Sequence, residues 1–306
     1  MPYVALAPAT RLVRSANAQA RWHRLSLAHT ELHPAIALQR ALLAEVSALS
    51  DRTVPPRLSL PPKYLAAKLL RGIPALTGEP IPPPSTVVGA SLTRLCDALA
   101  HGGAGEAATR VRAQLDETRL PAARLLTAVL RRDSQAVKTL STALNLQHEL
   151  VWLVGELAMG PFVHALLDVL FAGASDDSPL GTALRGWEQG YCPFCASWAA
   201  YAEESGDCCG ARTLRCEFCA AAWTLTKGGC VFCGESGEKF VAAPADAGGR
   251  RLDLCGRCRG YFKTITVDVL TPFPLLPIAD LETMDLDMAA IQRGFGRPAQ
   301  KDIARR

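Results

Sequence analysis

The sequence predicts an α+β fold, in which an all-α N-terminal helical domain is followed by two small β-rich metal-binding modules. Up to about residue 185, apolar residues recur at helical spacing. Beyond that point, frequent glycines divide the chain into short segments. Ten of the eleven cysteines then lie between Cys192 and Cys258. A small β-rich region with so many cysteines indicates a module that is held together by metal.

The composition supports a helical core. Hydrophobic residues make up 49% of the 306 residues, whereas aromatic residues make up only 6%, which favours helix packing over a β-sandwich. The net charge of +4 is too small to indicate a nucleic-acid-binding protein. The change of residue pattern along the chain, from helical periodicity to glycine- and cysteine-rich segments, predicts four parts. They are a helical domain at 1–187, modules at 188–226 and 227–274, and a C-terminal segment at 275–306.

Proline and apolar patterns place the predicted helices. Pro34 is expected in the first turn of the second helix, and the proline-rich segments 51–62 and 78–85 are expected to be loops. Ser85 is expected to cap the helix that follows. Further helices are expected over residues 105–117, 121–132, 134–144 and 148–171, the last as one helix or two because of Gly160-Pro161.

The most apolar stretch, residues 150–171, is expected to be a core helix and not a membrane span. It contains Glu156, His164 and Asp168, which would be costly to place in lipid. No secretory signal is recognisable at the start of the sequence, so the cytoplasm is the expected location. Clustered cysteines in that compartment favour metal binding over disulfides.

Four Cys-x-x-Cys pairs carry the chemistry. Two intervening residues form a tight turn that directs both sulfurs at one ion, and two such turns complete a tetrahedral shell. A fully cysteine-ligated ion has no open position for water, and no catalytic motif is present, so the protein is not expected to be an enzyme. The expected metal ligands are Cys192, Cys195, Cys216, Cys219, Cys230, Cys233, Cys255 and Cys258.

The spacing leaves the pairing and the metal open. Consecutive pairing gives two rubredoxin-like or zinc-ribbon modules and closes short loops, which costs less entropy than the interleaved alternative. Tetrahedral four-sulfur sites accept either zinc or iron. Cys208 and Cys209 are expected outside both sites in an exposed loop, with a reactive thiol pair as the alternative, and Cys96 is expected in the helical core. Strands are expected at 213–215, 223–226 and 261–270.

Five motifs follow one another between residues 191 and 298. They are CPFC at 192–195, LRCEFCAAAW at 214–223, CVFCG at 230–234, CGRCRGYFK at 255–263 and DLETMDLDMAAIQRGFGRP at 280–298. With these motifs, residues 191–298 resemble the formate dehydrogenase accessory protein family, FdhE. The order of four pairs together with the C-terminal motif is far more specific than any single pair. The first pair departs from the family pattern, because Ala196 follows it where a glycine is usual.

This resemblance implies a cytoplasmic maturation factor needed for active formate dehydrogenase, which binds the catalytic subunit of that enzyme before export. It also implies two mononuclear iron sites, with zinc as the alternative. The metal would be structural or redox-sensing. The sequence does not locate the partner surface. The candidates are the basic helices near the N-terminus and the segment 280–298.

Two other classes of protein carry similar cysteine patterns. A nucleic-acid-binding zinc ribbon would need a basic surface, and the basic cluster near the cysteines consists of Arg250, Arg251, Arg257 and Arg259. With a net charge of only +4, nucleic acid is an unfavoured partner. A rubredoxin-like electron carrier is the other alternative, and it would require a reversible iron couple.

Overall fold

The computed structural model describes residues 11–54, 58, 60–205 and 212–298. Cys208 and Cys209 therefore lie outside the described residues. The chain forms two compact units. Among the described residues, one contains residues 11–54 and 76–166, and the other combines the stretch from 58 to 75 with residues 167–205 and 212–298. Both four-cysteine groups belong to the second of these units.

The region before the cysteines is helical, as the sequence predicts. In the described residues a π-helical turn at Ala100–Ala104 separates the fourth and fifth helices. The helices are α1 Arg11–Ala28, α2 His33–Ser50, α3 Pro62–Leu70, α4 Ser85–Leu99, α5 Gly105–Asp116, α6 Ala122–Leu130, α7 Ser134–Ala143, α8 His148–Leu170 and α9 Pro179–Arg185.

Local signals explain several helix starts. Pro34 lies in the first turn of α2, as predicted. Asp133 and Ser178 cap α7 and α9, since their side chains accept hydrogen bonds from backbone N–H groups two to three residues into each helix. The predicted cap at Ser85 is wrong. Ser85 is already helical, and the preceding Pro84 has no side-chain donor or acceptor with which to cap α4.

Helix α8 is continuous, with Pro161 inside it. In the part of the chain that the structure describes, it is the one helix long and apolar enough to cross a membrane by length and composition. However, 67% of its most apolar window is buried inside the protein, which is typical of a core helix. Val154, Ala158 and Phe162 are among its buried residues.

One mixed sheet of six strands lies in the second unit, in the order β3-β2-β1-β6-β5-β4. The pairs within each half are antiparallel, whereas β1 and β6 pair in parallel and join the two halves. The predicted strands correspond to β2, β3 and β6. The strands are β1 Tyr201–Ser205, β2 Arg212–Arg215, β3 Ala222–Thr224, β4 Phe240–Ala242, β5 Arg250–Cys255 and β6 Tyr261–Val267.

Two short helices, α10 Leu276–Leu281 and α11 Met284–Gln292, cover one face of this sheet. Leu276 packs against Tyr201 and Ile265. Ala290, on α11, belongs to a second apolar cluster between that helix and the sheet. The observed architecture of a helical region followed by a mixed sheet with two four-cysteine groups confirms the predicted α+β class.

Candidate metal centres

The four Cys-x-x-Cys turns share one backbone geometry. In each turn, the N–H of the first cysteine donates to the carbonyl oxygen five residues later. This bond closes the loop and turns both sulfurs to the same side. The N···O distances are 2.7 Å from Cys192 to Ser197, 3.0 Å from Cys216 to Ala221, 2.8 Å from Cys230 to Glu235 and 2.9 Å from Cys255 to Gly260.

The residue after the second cysteine of each turn has a left-handed backbone. The φ values are +71° at Ala196, +63° at Ala220, +74° at Gly234 and +57° at Arg259. A side chain in this region costs free energy, and only glycine adopts it freely. Ala196, which follows the first pair where glycine is usual in the resembled family, therefore keeps the common turn geometry at some cost in strain.

The first group consists of Cys192, Cys195, Cys216 and Cys219. The Cys192–Cys219 and Cys195–Cys216 sulfurs are each 3.5 Å apart, and all four lie within 4.8 Å of one another. These separations are too long for a disulfide of about 2.05 Å. They are close to the ~3.8 Å between thiolates bound tetrahedrally at 2.3 Å from one ion. None of the four side chains is more than 3% exposed.

The second group consists of Cys230, Cys233, Cys255 and Cys258. The Cys230–Cys258 and Cys233–Cys255 sulfurs are each 3.6 Å apart, and these four also lie within 4.8 Å of one another. Its exposure differs from that of the first group. Cys230 and Cys255 are buried, Cys233 is half-buried, and Cys258 is exposed.

The sulfurs therefore meet as consecutive pairs, as the loop-closure argument favours. The donor set of each group, four cysteine sulfurs at tetrahedral separations, fits a single zinc or iron ion equally well. In the described residues these are the groups of possible metal ligands that converge. Each group would hold its ion with no coordination position left for water.

Burial dominates the electrostatics of the first group. It raises the pKa of Cys192 and of Cys219 well above the ordinary value of 9.0, because a thiolate is costly in a dry interior. Cys255, in the second group, has a lowered pKa. Burial alone would raise it, but hydrogen bonds from the backbone N–H groups of Cys258 and Arg257 outweigh that effect. Metal binding to the first group must therefore displace protons.

Neighbouring segments hold the first turn in place. The N–H of Ala75 donates to the carbonyl oxygen of Pro193 at 2.8 Å, and the Tyr191 hydroxyl donates to Gly72 O at 3.0 Å. Phe171 meets Phe194 edge to face, with 5.0 Å between ring centroids. The segment that follows α3 thus becomes part of the wall around the first group.

Aromatic rings connect the two groups. Trp198 contacts Tyr191 edge to face at 6.0 Å on one side and Phe232 at 5.3 Å on the other. Phe232 in turn contacts Phe262, at 5.8 Å. Such edge-to-face pairs stabilise more than their buried area alone. Trp198 follows the first turn of the first group, and Phe232 lies inside the first turn of the second, so this row of rings links the two centres.

Gly190 brings the two turns into backbone contact. A Cβ atom at this position would lie 1.9 Å from the carbonyl oxygen of Val231, which no side chain can accommodate. Val231 lies between Cys230 and Cys233, and Gly190 lies two residues before Cys192. Only glycine permits this approach.

The basic cluster near the cysteines is engaged within the protein. The guanidinium of Arg250 forms ion pairs with the carboxylates of Asp246 and Asp285, with N···O distances of 2.8 and 3.0 Å. The remaining three also have internal partners. Arg251 pairs with Glu204 and Asp253, Arg257 with Glu235, and Arg259 donates to the carbonyl oxygens of Arg293 and Gly294.

The acidic residues of the C-terminal segment contribute to the same support. Asp285 and Asp287 lie in the first turn of α11, where acidic residues are favoured. Asp287 also accepts hydrogen bonds from Lys263 at 2.6 Å and Tyr261 at 2.7 Å. Lys263 is fully buried, and it pairs in addition with Asp280 at 2.7 Å.

Cys96 lies apart from both groups. It is buried in α4, where it is fully shielded from solvent, and burial raises the pKa of its thiol to about 12. It therefore behaves as a small apolar core residue.

Comparisons with known proteins identify similar chains. No family model matches this chain. It is 30% identical over 116 residues to a protein FdhE homolog of Aquifex aeolicus, a match that covers 36% of this chain and 40% of that protein. It is 27% identical over 145 residues to the homolog of Stutzerimonas stutzeri, covering 46% of this chain and 47% of the relative. A homolog of Haemophilus ducreyi is 29% identical over 144 residues, covering 44% and 45%.

The fold gives a longer match. The crystal structure of the FdhE protein from Pseudomonas aeruginosa superimposes with a TM-score of 0.58, covering 99% of this chain and 98% of that one, at 21% identity. The sequence matches span less than half of the length of the curated relatives. Together these findings confirm the resemblance to the FdhE family.

Proposed function

We propose that this protein is a non-catalytic accessory factor for the assembly of active formate dehydrogenase. In this role it binds the catalytic subunit of that enzyme in the cytoplasm before export. The observation that carries the proposal is the similarity to three FdhE homologs, combined with a matching fold that brings eight cysteines into two four-sulfur groups.

The eight cysteines are the proposed ligands of two mononuclear metal ions. We favour iron, which the resemblance to the FdhE family implies, and zinc is the alternative. When bound, the ions would cross-link the turns and supply folding free energy to a region built on short strands. The buried first group suits a structural ion, and a redox-sensing role is open to either group.

The state of the arginine cluster favours this function over nucleic-acid binding. The four arginines of this cluster already contact carboxylates or backbone carbonyls of this chain. They are Arg250, Arg251, Arg257 and Arg259. Binding phosphates would require these contacts to be broken, which removes much of the electrostatic gain. Nucleic acid is therefore not a proposed partner.

A pull-down tests the proposal. The tagged full-length protein is expected to co-elute with the unexported catalytic subunit of formate dehydrogenase. A double variant, Cys192→Ser with Cys195→Ser, should weaken this co-elution, whereas the control Cys96→Ala should not, because Cys96 lies outside both groups. Absence of the catalytic subunit from the wild-type eluate would refute the proposed partner. A reversible iron couple with electron transfer to a partner would instead support an electron carrier.

A further inference from the structure

The two four-cysteine groups differ in access to solvent. In the first group, every cysteine is at most 3% exposed, and Phe194 and Phe218 inside the two turns are also buried. In the second group, Cys258 is exposed, together with Gly256 and Arg257 of the same turn. An external chelator can therefore approach the second group directly, whereas it reaches the first only after the surrounding structure opens.

The exposed turn of the second group also holds the end of the described chain. The N–H of Gly296 donates to the carbonyl oxygen of Arg259 at 2.9 Å. In return, the N–H of Tyr261 donates to Gly296 O at 3.3 Å, which forms a short parallel bridge. Both partners lie within three residues of Cys258, the exposed member of the group.

The Arg259 side chain adds three further contacts with the same segment. Its guanidinium donates to the carbonyl oxygens of Arg293 at 3.2 Å and Gly294 at 3.0 Å, and it lies 4.3 Å from the centre of the Phe295 ring. The backbone of Arg259 is left-handed, with φ at +57°. That conformation is unfavourable for arginine and needs the closed turn to maintain it.

We propose that the second group holds an exchangeable metal ion, and that its occupancy keeps residues 293–296 docked on the Cys255–Cys258 turn. This inference rests on the metal binding of the proposed function. Loss of the ion would free the thiolates of all four ligands, Cys230, Cys233, Cys255 and Cys258. Donor atoms of the chelator would replace the four sulfurs on the ion, and each thiolate that becomes protonated would take its proton from water. The turn then loses its cross-link, and Arg259 can relax and release the segment.

Metal release from the zinc-loaded full-length protein tests the first half. With the chromogenic chelator 4-(2-pyridylazo)resorcinol in excess, release is expected in a fast phase of one ion per chain and a slow phase of the other. Cys258→Ser should abolish the fast phase and leave the slow one. Cys219→Ser, its matched partner in the first group, should abolish the slow phase. Release in one phase, or loss of the slow phase in Cys258→Ser, would overturn the proposal.

Hydrogen exchange tests the second half, first on the same wild-type sample and then on one variant. Exchange at the amides of Gly296 and Tyr261 should accelerate during the fast phase of release, and not wait for the slow phase. Arg259→Ala should accelerate exchange at Gly296 while both ions stay bound, because it removes the side-chain contacts alone. Unchanged exchange at these amides after the fast phase would show that docking does not depend on the ion.

The outcomes separate this inference from the proposed function. A protein that binds no metal at all would contradict both. Two ions released at equal rates would contradict only the inference, and the accessory role would stand. The pull-down with the catalytic subunit reports on that role independently.

Discussion

Arg215 on β2 donates to the carboxylate of Glu203 on β1, and neither side chain has any exposure to solvent. Arg215 also donates to the carbonyl oxygen of Thr271 at 2.6 Å, and the N–H of Thr271 donates to Glu203 at 3.1 Å. The pair therefore ties two strands to the loop that follows β6. Arg215 immediately precedes Cys216, so this buried network also supports a proposed metal ligand.

Replacement of one member of this pair should be strongly destabilising. Arg215→Met leaves the Glu203 carboxylate buried without its counter-charge, and we expect the free energy of unfolding to fall by about 3–5 kcal/mol. Urea unfolding measures this loss. The double variant, with Glu203→Met added, should lose less than the sum of the two single variants, because it removes both charges. Additive losses would show that the two side chains do not interact.

Loss of one cysteine should cost one metal ion. Cys216→Ser places a hydroxyl where a thiolate is needed, so metal analysis should give one ion per chain instead of two. The control is Cys96→Ala. It also removes a buried sulfur, but from the helical core, and it should keep both ions while losing some stability to the cavity. Two ions in Cys216→Ser would show that Cys216 is not a ligand.

The strained turns predict opposite effects of glycine and alanine. Ala196→Gly should raise the free energy of unfolding by up to about 1 kcal/mol, because glycine adopts positive φ without a steric penalty. Gly234→Ala, at the equivalent position of the second group, should lower it by about 1 kcal/mol. Thermal unfolding of the metal-loaded variants measures both. A stabilising Gly234→Ala would contradict the observed backbone.

The close approach of the two groups makes Gly190 irreplaceable. In Gly190→Ala the new methyl group would collide with the Val231 carbonyl, so the turns must separate. We expect a loss of at least about 1–3 kcal/mol, typical of overpacking. Gly228→Ala is the control, because nothing lies within 4 Å of its new methyl group. Equal unfolding transitions for the two variants would show that the contact is not tight.

The buried thiols predict a dependence of stability on pH in the metal-free protein. Cys192 and Cys219 have pKa values above the ordinary 9.0, so they stay protonated in the folded chain at a pH where the unfolded chain ionises. The stabilisation that these protonated thiols give to the folded chain is therefore fully present below pH 9.0. As the pH rises above that value, the free energy of unfolding falls by at most about 1.4 kcal/mol per pH unit for each thiol. Urea unfolding on either side of pH 9.0 measures the loss. Zinc should suppress it, because bound thiolates do not titrate.

The sequence predicts the helices well because their apolar periodicity extends over many residues. Helices α5, α7 and α8 begin at the predicted residue, and each ends one residue before its predicted end. The grouping of consecutive cysteine pairs could also be predicted from loop lengths, because short loops cost little entropy to close.

Three strands escaped prediction: the short β4, and β1 and β5, which carry charged residues. β1 contains Glu203 and Glu204, and β5 contains Arg250, Arg251 and Asp253. The charged side chains of β1 and β5 find partners far away along the chain, as in the 2.9 Å ion pair of Glu204 with Arg251. No local pattern therefore identifies these segments as strands. The sequence also does not predict that the two four-cysteine groups differ in solvent exposure. Their cysteine spacings are nearly the same, and the groups differ only in the residues that pack around them.

The parallel pairing of β1 with β6 has a consequence for how the two centres can be separated. Ala202 faces Thr264 and Glu204 faces Thr266 across this seam, so each half of the sheet hides the inner edge of the other. A fragment that carried one centre alone would leave a row of backbone donors and acceptors open to a second copy. The two centres therefore stay soluble only as parts of one sheet. Truncation between them should yield a product that self-associates through its exposed strand edge, and not two independent domains.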